Sequence, residues 1–267
     1  MDKKNYLLVG VMAVNTIGAA AMEKAHPNIL FVFADEHRRQ SMGFMQEDPV
    51  KTPNFDKFAS TSLVFDNALS VLPLCSPYRA SLMTGRYPSS TGVVKNCGGK
   101  LRLPYEETTI AEALKNAGYQ TGYIGKWHLD LNHVKNGYIK PGKPRQGFDF
   151  WHAYNKGDKH FNPFYWEDSS KMLEYDAWSP AHETDVAIKY MKDHSGKKPF
   201  VLFMSWNPPH PPFTAPDKFM RIYDNLQKKD LRKNVAPWTG YFNAKIKKSK
   251  RYYGSDKLLE LSKRYFV

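Results

Sequence analysis

Cys75 stands in the segment Leu72-Pro73-Leu74-Cys75-Ser76-Pro77-Tyr78-Arg79, which has the makings of an anion-handling helix start. Pro77 fits the first turn of a helix, where a missing N–H costs nothing. Ala80, Ser81, Leu82 and Met83 continue that helix, and Gly85 ends it. Cys75 is therefore expected at the N-terminus, where free N–H groups and the helix dipole favour negative charge. Arg79 lies four residues on and faces back toward the same end. This combination suits an activated group acting on an anion. The plainer alternative is a buried structural thiol.

Three other polar clusters each follow an apolar run. Asp35-Glu36-His37 follows Ile29–Ala34, and its carboxylates are hard oxygen ligands suited to calcium or magnesium. Lys126-Trp127-His128 follows Gln120–Gly125. Alternate residues of an extended segment share a side, so Lys126 and His128 face one way while Trp127 packs the other. His210 follows Phe200–Trp206, within Asn207-Pro208-Pro209-His210-Pro211-Pro212. Taken singly, an acidic pair reads as surface charge and a histidine as a solvated side chain. In open α/β sheets, however, ligands bind at the carboxyl ends of strands, where all three clusters fall.

The elements that must position these groups alternate strand and helix, which predicts an α/β domain: a largely parallel central sheet with helices on both faces. Strands are expected at Ile29–Ala34, Leu63–Ala68, Gln120–Gly125 and Phe200–Trp206. A helix opens at Thr52-Pro53, with Thr52 as N-cap. Another runs from Thr109 to a stop at Gly118, and a third covers Thr184–His194. The stretch from Lys135 to Tyr175, rich in Gly, Pro and aromatics, reads as a long irregular excursion. Its centre, Phe161-Asn162-Pro163-Phe164-Tyr165-Trp166, either stacks on sugar rings or anchors the loop, with anchoring favoured.

The 267 residues suffice for a large core, and 42% hydrophobic residues exclude a disordered chain. Two cysteines, Cys75 and Cys97, provide no disulfide framework and no zinc spacing. Cys97 reads as structural. Twelve Lys/Arg against three Asp/Glu lie from Lys228 onward, so nine of the net +13 charges sit in that tail. This pattern describes a solvated face rather than a nucleic-acid stripe, and no nucleic-acid partner is expected. Residues 1–25 resemble a secretory signal, with Lys3 and Lys4, a short apolar run from Leu7 to Ala21 and small residues at Ala19–Ala21. No stable membrane span is expected. Periplasmic or secreted localisation follows, with residues 26–267 as the mature domain.

The segment Cys75-Ser76-Pro77-Tyr78-Arg79, with Thr84-Gly85-Arg86 downstream, resembles the Cys-x-Pro-x-Arg motif of the type I sulfatases. These enzymes belong to the alkaline-phosphatase-like superfamily. Gly125-Lys126-Trp127-His128-Leu129 and the Pro-His-x-Pro segment around His210 are similar to two further motifs of that family. The resemblance implies that Cys75 is oxidised to formylglycine by a formylglycine-generating, sulfatase-maturing enzyme. The hydrated aldehyde then serves as nucleophile on a sulfate monoester. It further implies Asp35, Glu36 and residue 75 as ligands to calcium or magnesium, with Asp35 the safer ligand. Arg79 would hold the formylglycine hydrate, Lys126 the sulfate, and His128 would take the hydroxyl proton. His210 would bind the ester oxygen and assist the leaving group.

Family members are usually longer and bring a later Asp followed by His or Asn to the metal. Asp224-Asn225 follows His210 too soon and lies in a helix-like stretch, so it is set aside. The chain is therefore expected to be an incomplete member whose sheet lacks strands. The expected substrate is a sulfated glycan or an aryl sulfate. Two alternatives remain: a phosphonate or phosphate ester hydrolase of the same fold, and a non-catalytic anion- or glycan-binding remnant.

Overall fold

The computed structural model describes residues 26–131, 137–232 and 255–266. The expected signal (1–25) and the most basic part of the tail (245–251) lie outside them. Four parallel strands form the central sheet: β1 (Ile29–Ala34), β2 (Gln120–Lys126), β3 (Phe150–Tyr154) and, last in chain order, β6 (Phe200–Trp206). Their spatial order is β1-β6-β2-β3. Ile29 pairs with Val201 across the first interface, and Thr121 pairs with Val201 across the second. β4 (Phe164–Tyr165) and β5 (Leu173–Glu174) make a small antiparallel ladder beside the sheet.

The helices are α1 (Pro53–Ala59), α2 (Cys75–Thr84), α3 (Pro88–Thr91), α4 (Ile110–Asn116), α5 (Ser179–His194), α6 (Asp217–Met220) and α7 (Ser255–Tyr265). α2 and α4 lie on one face of the sheet and α5 on the other. Tyr123, Val201 and Phe203 meet Ala80 and Met83 of α2 and Ala111 of α4 on one face. On the other, Ile124, Leu202 and Met204 meet Ala187 and Tyr190 of α5. Consecutive residues of β2 and β6 thus enter opposite layers. Buried on both faces, β6 reads as a nearly continuous apolar run rather than an alternating one. Each fully buried large side chain contributes about 1.5–3 kcal/mol.

Three sequence expectations need correction. Leu63–Ala68 is not a strand: Leu63 is 81% and Phe65 73% exposed, with no backbone ladder. Its short apolar run has no partner edge among the described residues, and a strand is stable only when paired. The 135–175 excursion is not wholly irregular, because it contains β3, a full member of the sheet. Gly, Pro and aromatic content on either side masks those five residues. Helix α5 begins at Ser179, before Thr184, with Pro180 in its first turn. The aromatic centre does anchor the loop: Tyr165 and Trp166 are buried, and Trp166 exchanges two backbone hydrogen bonds with Ala153 of β3.

Candidate active site

The carboxyl ends of β1, β6 and β2 lie side by side, and each leads into one of the polar clusters. Asp35 follows β1, Lys126 ends β2, and His210 lies four residues beyond β6. Helix α2 brings Cys75 to the same end. Leu74 is its N-cap in extended conformation, and Gly85 closes it in the left-handed region at φ +66°. Ser76 pins the helix start. Its Oγ donates to the His128 carbonyl at 2.6 Å and accepts from the Cys97 N–H at 2.9 Å, while its own N–H donates to Asn96 Oδ1 at 3.2 Å.

Asp35 is the hub. Its carboxylate lies 3.5 Å from Cys75 Sγ, 2.6 Å from Lys126 Nζ and 3.3 Å from an Arg79 guanidinium nitrogen. Burial opposes its ionisation, but Arg79 and Lys126 overcome that cost and hold the carboxyl at about 2. Arg79 is fully buried and also donates to the Lys126 carbonyl at 2.6 Å and to Ser205 Oγ at 2.8 Å. It is therefore fixed before any anion arrives.

Lys126 points onto Asp35 and Asn207, and Trp127 turns into the aromatic layer against Tyr123 and Trp151. Gly125, at φ +92°, makes the turn possible, and His128 itself sits at φ +54°. Both His128 ring nitrogens are buried without a protein partner. Burial, with Lys126 and Arg79 close by, pushes its pKa down to about 3, so the ring is neutral at pH 7.

The thiol behaves otherwise than a helix start alone implies. Burial and the Asp35 carboxylate raise the Cys75 pKa, outweighing Lys126 and Arg79. As a thiol, Cys75 is poorly prepared to be a nucleophile. Cys97 is buried, and its thiol is pushed up by burial to about 11, as an inert structural cysteine should be.

Asp35, Cys75 and His210 offer ligand atoms all within 4.8 Å of one another. Glu36 stands apart from that trio, at φ +61°, with its carboxylate 3.6 Å from His210 Nε2. Asp224 sits after α6, its carbonyl accepting from Lys263. Two further residues were not singled out from sequence. Asn207 Oδ1 accepts from Lys126 Nζ at 3.0 Å, and Asp158 lies 3.5 Å from His210 Nδ1 and 3.9 Å from Lys126 Nζ. Asp158 comes from the excursion after β3, so only the fold reveals its place.

The comparisons agree with this geometry. The family model Sulfatase matches residues 27–255. The endo-4-O-sulfatase of Bacteroides thetaiotaomicron is 35% identical over 272 residues, covering 87% of this chain and 53% of the relative. The ulvan-active sulfatase of Formosa agariphila is 38% identical over 223 residues, covering 80% and 42%. A solved sulfatase from B. thetaiotaomicron glycosaminoglycan metabolism superposes at TM-score 0.76 with 31% identity, covering 90% of this chain and 54% of that one. The chain spans about half the length of these curated relatives. Motifs, sheet order, family match and superposition converge: the chain belongs to the sulfatase family, in its alkaline-phosphatase-like fold.

Proposed function

We propose that the protein acts in the hydrolysis of sulfate monoesters carried on glycans, with Cys75 converted to formylglycine beside calcium or magnesium. One observation carries this reading: a thiol whose surroundings disfavour the thiolate is nonetheless ringed by Asp35, Arg79, Lys126 and an unpartnered His128. Such a ring serves a hydroxyl nucleophile and an anion better than it serves sulfur. Cys75 Sγ marks where an oxygen of the modified residue would lie. Asp35 and that oxygen make a hard donor pair, with His210 and Glu36 at its edge, so the residues fit a divalent cation. Bound there, the cation and the modified residue would supply charge neutralisation and a hydroxyl ionised at neutral pH.

In this reading Arg79 holds the modified residue and Lys126 neutralises sulfate oxygens. Neutral His128 accepts the hydroxyl proton. His210, partly exposed at the mouth, donates to the departing sugar oxygen. The relatives' names favour a sulfated glycan over a simple aryl sulfate. Residues 1–25 would direct export to the periplasm or beyond, where a sulfatase-maturing enzyme's product would act. N-terminal sequencing of the exported protein checks that boundary.

The functional test uses the chain co-produced with a formylglycine-generating enzyme, assayed on a 4-O-sulfated disaccharide, 4-nitrophenyl sulfate and 4-nitrophenyl phosphate. Sulfate release that disappears in Cys75→Ala supports the reading. Faster phosphate release, or activity surviving Cys75→Ala, refutes it. Binding of sulfated disaccharide without turnover would make the chain a glycan-binding protein instead.

A further inference from the structure

Lys126 reaches the site on a long, flexible side chain, yet its ammonium is held at one point. Asp35 takes it from one side and Asn207 from the other. Asn207 follows β6 immediately and is fully buried. An ammonium can only donate, so the Asn207 atom facing it must be Oδ1. Its Nδ2 must then point away, and it does so toward two acceptors: the Gly157 carbonyl at 3.1 Å and His160 Nε2 at 3.3 Å. A donor NH₂ facing a ring nitrogen requires that nitrogen to be unprotonated. The His160 proton must therefore sit on Nδ1, which is buried and has no well-formed hydrogen bond. His160 is itself locked in place, because its carbonyl accepts the Ser179 N–H at the start of α5 at 2.7 Å.

We propose that His160 and Asn207 are positioning residues that orient Lys126: His160 Nε2, as an acceptor, holds the Asn207 NH₂ together with the Gly157 carbonyl, and the amide so held presents Oδ1 to the Lys126 ammonium. The reverse orientation would put an NH₂ against an ammonium and a carbonyl oxygen against a ring lone pair, two repulsions in a buried place. The excursion after β3 thereby acts on the site through a residue that need not touch substrate. The catalytic meaning of this relay rests on the sulfate-ester reading above, whereas the hydrogen-bond chain does not.

The experiment is NMR on the full chain with ¹⁵N-labelled histidine and lysine at neutral pH, beside kinetics on 4-nitrophenyl sulfate. The expected result is a neutral His160 protonated at Nδ1, together with a slowly exchanging Lys126 ammonium signal. That signal should vanish in Asn207→Leu and in His160→Ala but survive in His160→Gln, whose Oε1 replaces the Nε2 acceptor. kcat/KM should fall about tenfold or more in His160→Ala and recover in His160→Gln. A His160 protonated at Nε2 overturns the proposal outright. So does a Lys126 signal unchanged in His160→Ala. Absence of turnover by the unsubstituted chain counts against the sulfatase reading alone, because the tautomer and the ammonium signal are read without substrate.

Discussion

Lys126 Nζ and Asp35 Oδ2 lie 2.6 Å apart, and both side chains are almost wholly shielded from water. Neither charge would be tolerable there alone, because desolvation costs several kcal/mol per ion and is offset only by the partner. Lys126→Met leaves Asp35 with Arg79 as its remaining cation, at 3.3 Å. The variant should lose about 3 kcal/mol of stability by denaturant unfolding at pH 7. At pH 3 the difference should shrink, because the stranded carboxyl protonates there while the parent's, held at about 2, does not. An equal loss at both pH values would show that packing, not charge, is responsible.

Stability should peak near pH 7 and fall on both sides. His128 is held at about 3, and His160 and His182 at about 4, all by burial first, against an ordinary 6.5. Unfolded histidines take up protons below 6.5 while the folded ones do not, so stability is lost as pH falls from 6.5 toward 4 and then 3. Glu183 works oppositely. It is fully buried on α5, receives the Tyr165 hydroxyl at 2.9 Å, and burial raises it to about 8 from 4.5. The unfolded carboxyl ionises first, so stability is lost as pH rises from 4.5 to 8. Every tenfold difference in proton affinity between the folded and unfolded carboxyl corresponds to about 1.4 kcal/mol. Glu183→Gln should flatten the alkaline limb in thermal melts between pH 7 and 8. An unaltered alkaline limb would place that acid elsewhere than in a neutral, buried state.

Gly125→Ala should be among the most damaging single changes. A Cβ there would lie 2.2 Å from the Ser205 carbonyl oxygen, and φ is +92°. Both the clash and the backbone conformation oppose a side chain, and the cost is about 3 kcal/mol or more. Because Gly125 immediately precedes Lys126, the relief route is a shift of β2 against β6. A melting temperature within a degree or two of the parent would contradict that packing.

Much of this was legible in the sequence, for identifiable reasons. The bounds of β1 and β6 match the apolar runs because a strand buried or paired in a parallel sheet leaves little ambiguity in composition. The start of α4 was legible in Thr109 and Glu112, which form a capping box. Cys75, Arg79, Lys126, His128 and His210 could be singled out because each sits in a short motif beside an element end. β3 was hidden by its flanks. Asn207 and His160 were not singled out because His160 lies in the excursion outside any motif and an asparagine rarely signals chemistry by itself; only the donor-only nature of the neighbouring Lys126 gives their atoms a fixed sense.

The edge of the sheet makes a further prediction. Among the described residues β1 pairs with β6 alone, and Leu30 and Val32, on the same face of the sheet as Leu202 and Met204, lie beyond the cover of α5 and are exposed. Unpaired apolar edges invite association between chains. Val32→Lys should reduce concentration-dependent association in light scattering, with a change in stability within about 0.5 kcal/mol. Association that persists undiminished would place the contact elsewhere.

Among the described residues, the sole partner of β1 is a strand made very late. Asn28 and Phe200, hydrogen-bonded at the start of that pairing, are 172 residues apart in the chain. A ribosome adding about 5–20 residues per second needs roughly 10–30 seconds to deliver the second after the first. For that time the nascent chain carries Phe31 and Phe33 with their partner strand unmade, although Arg79 and Lys126, the cations of Asp35, are already on the chain. Folding of the catalytic end must therefore await β6, and a chaperone that shields nascent apolar segments should raise the yield of this protein more than that of one built from consecutive hairpins.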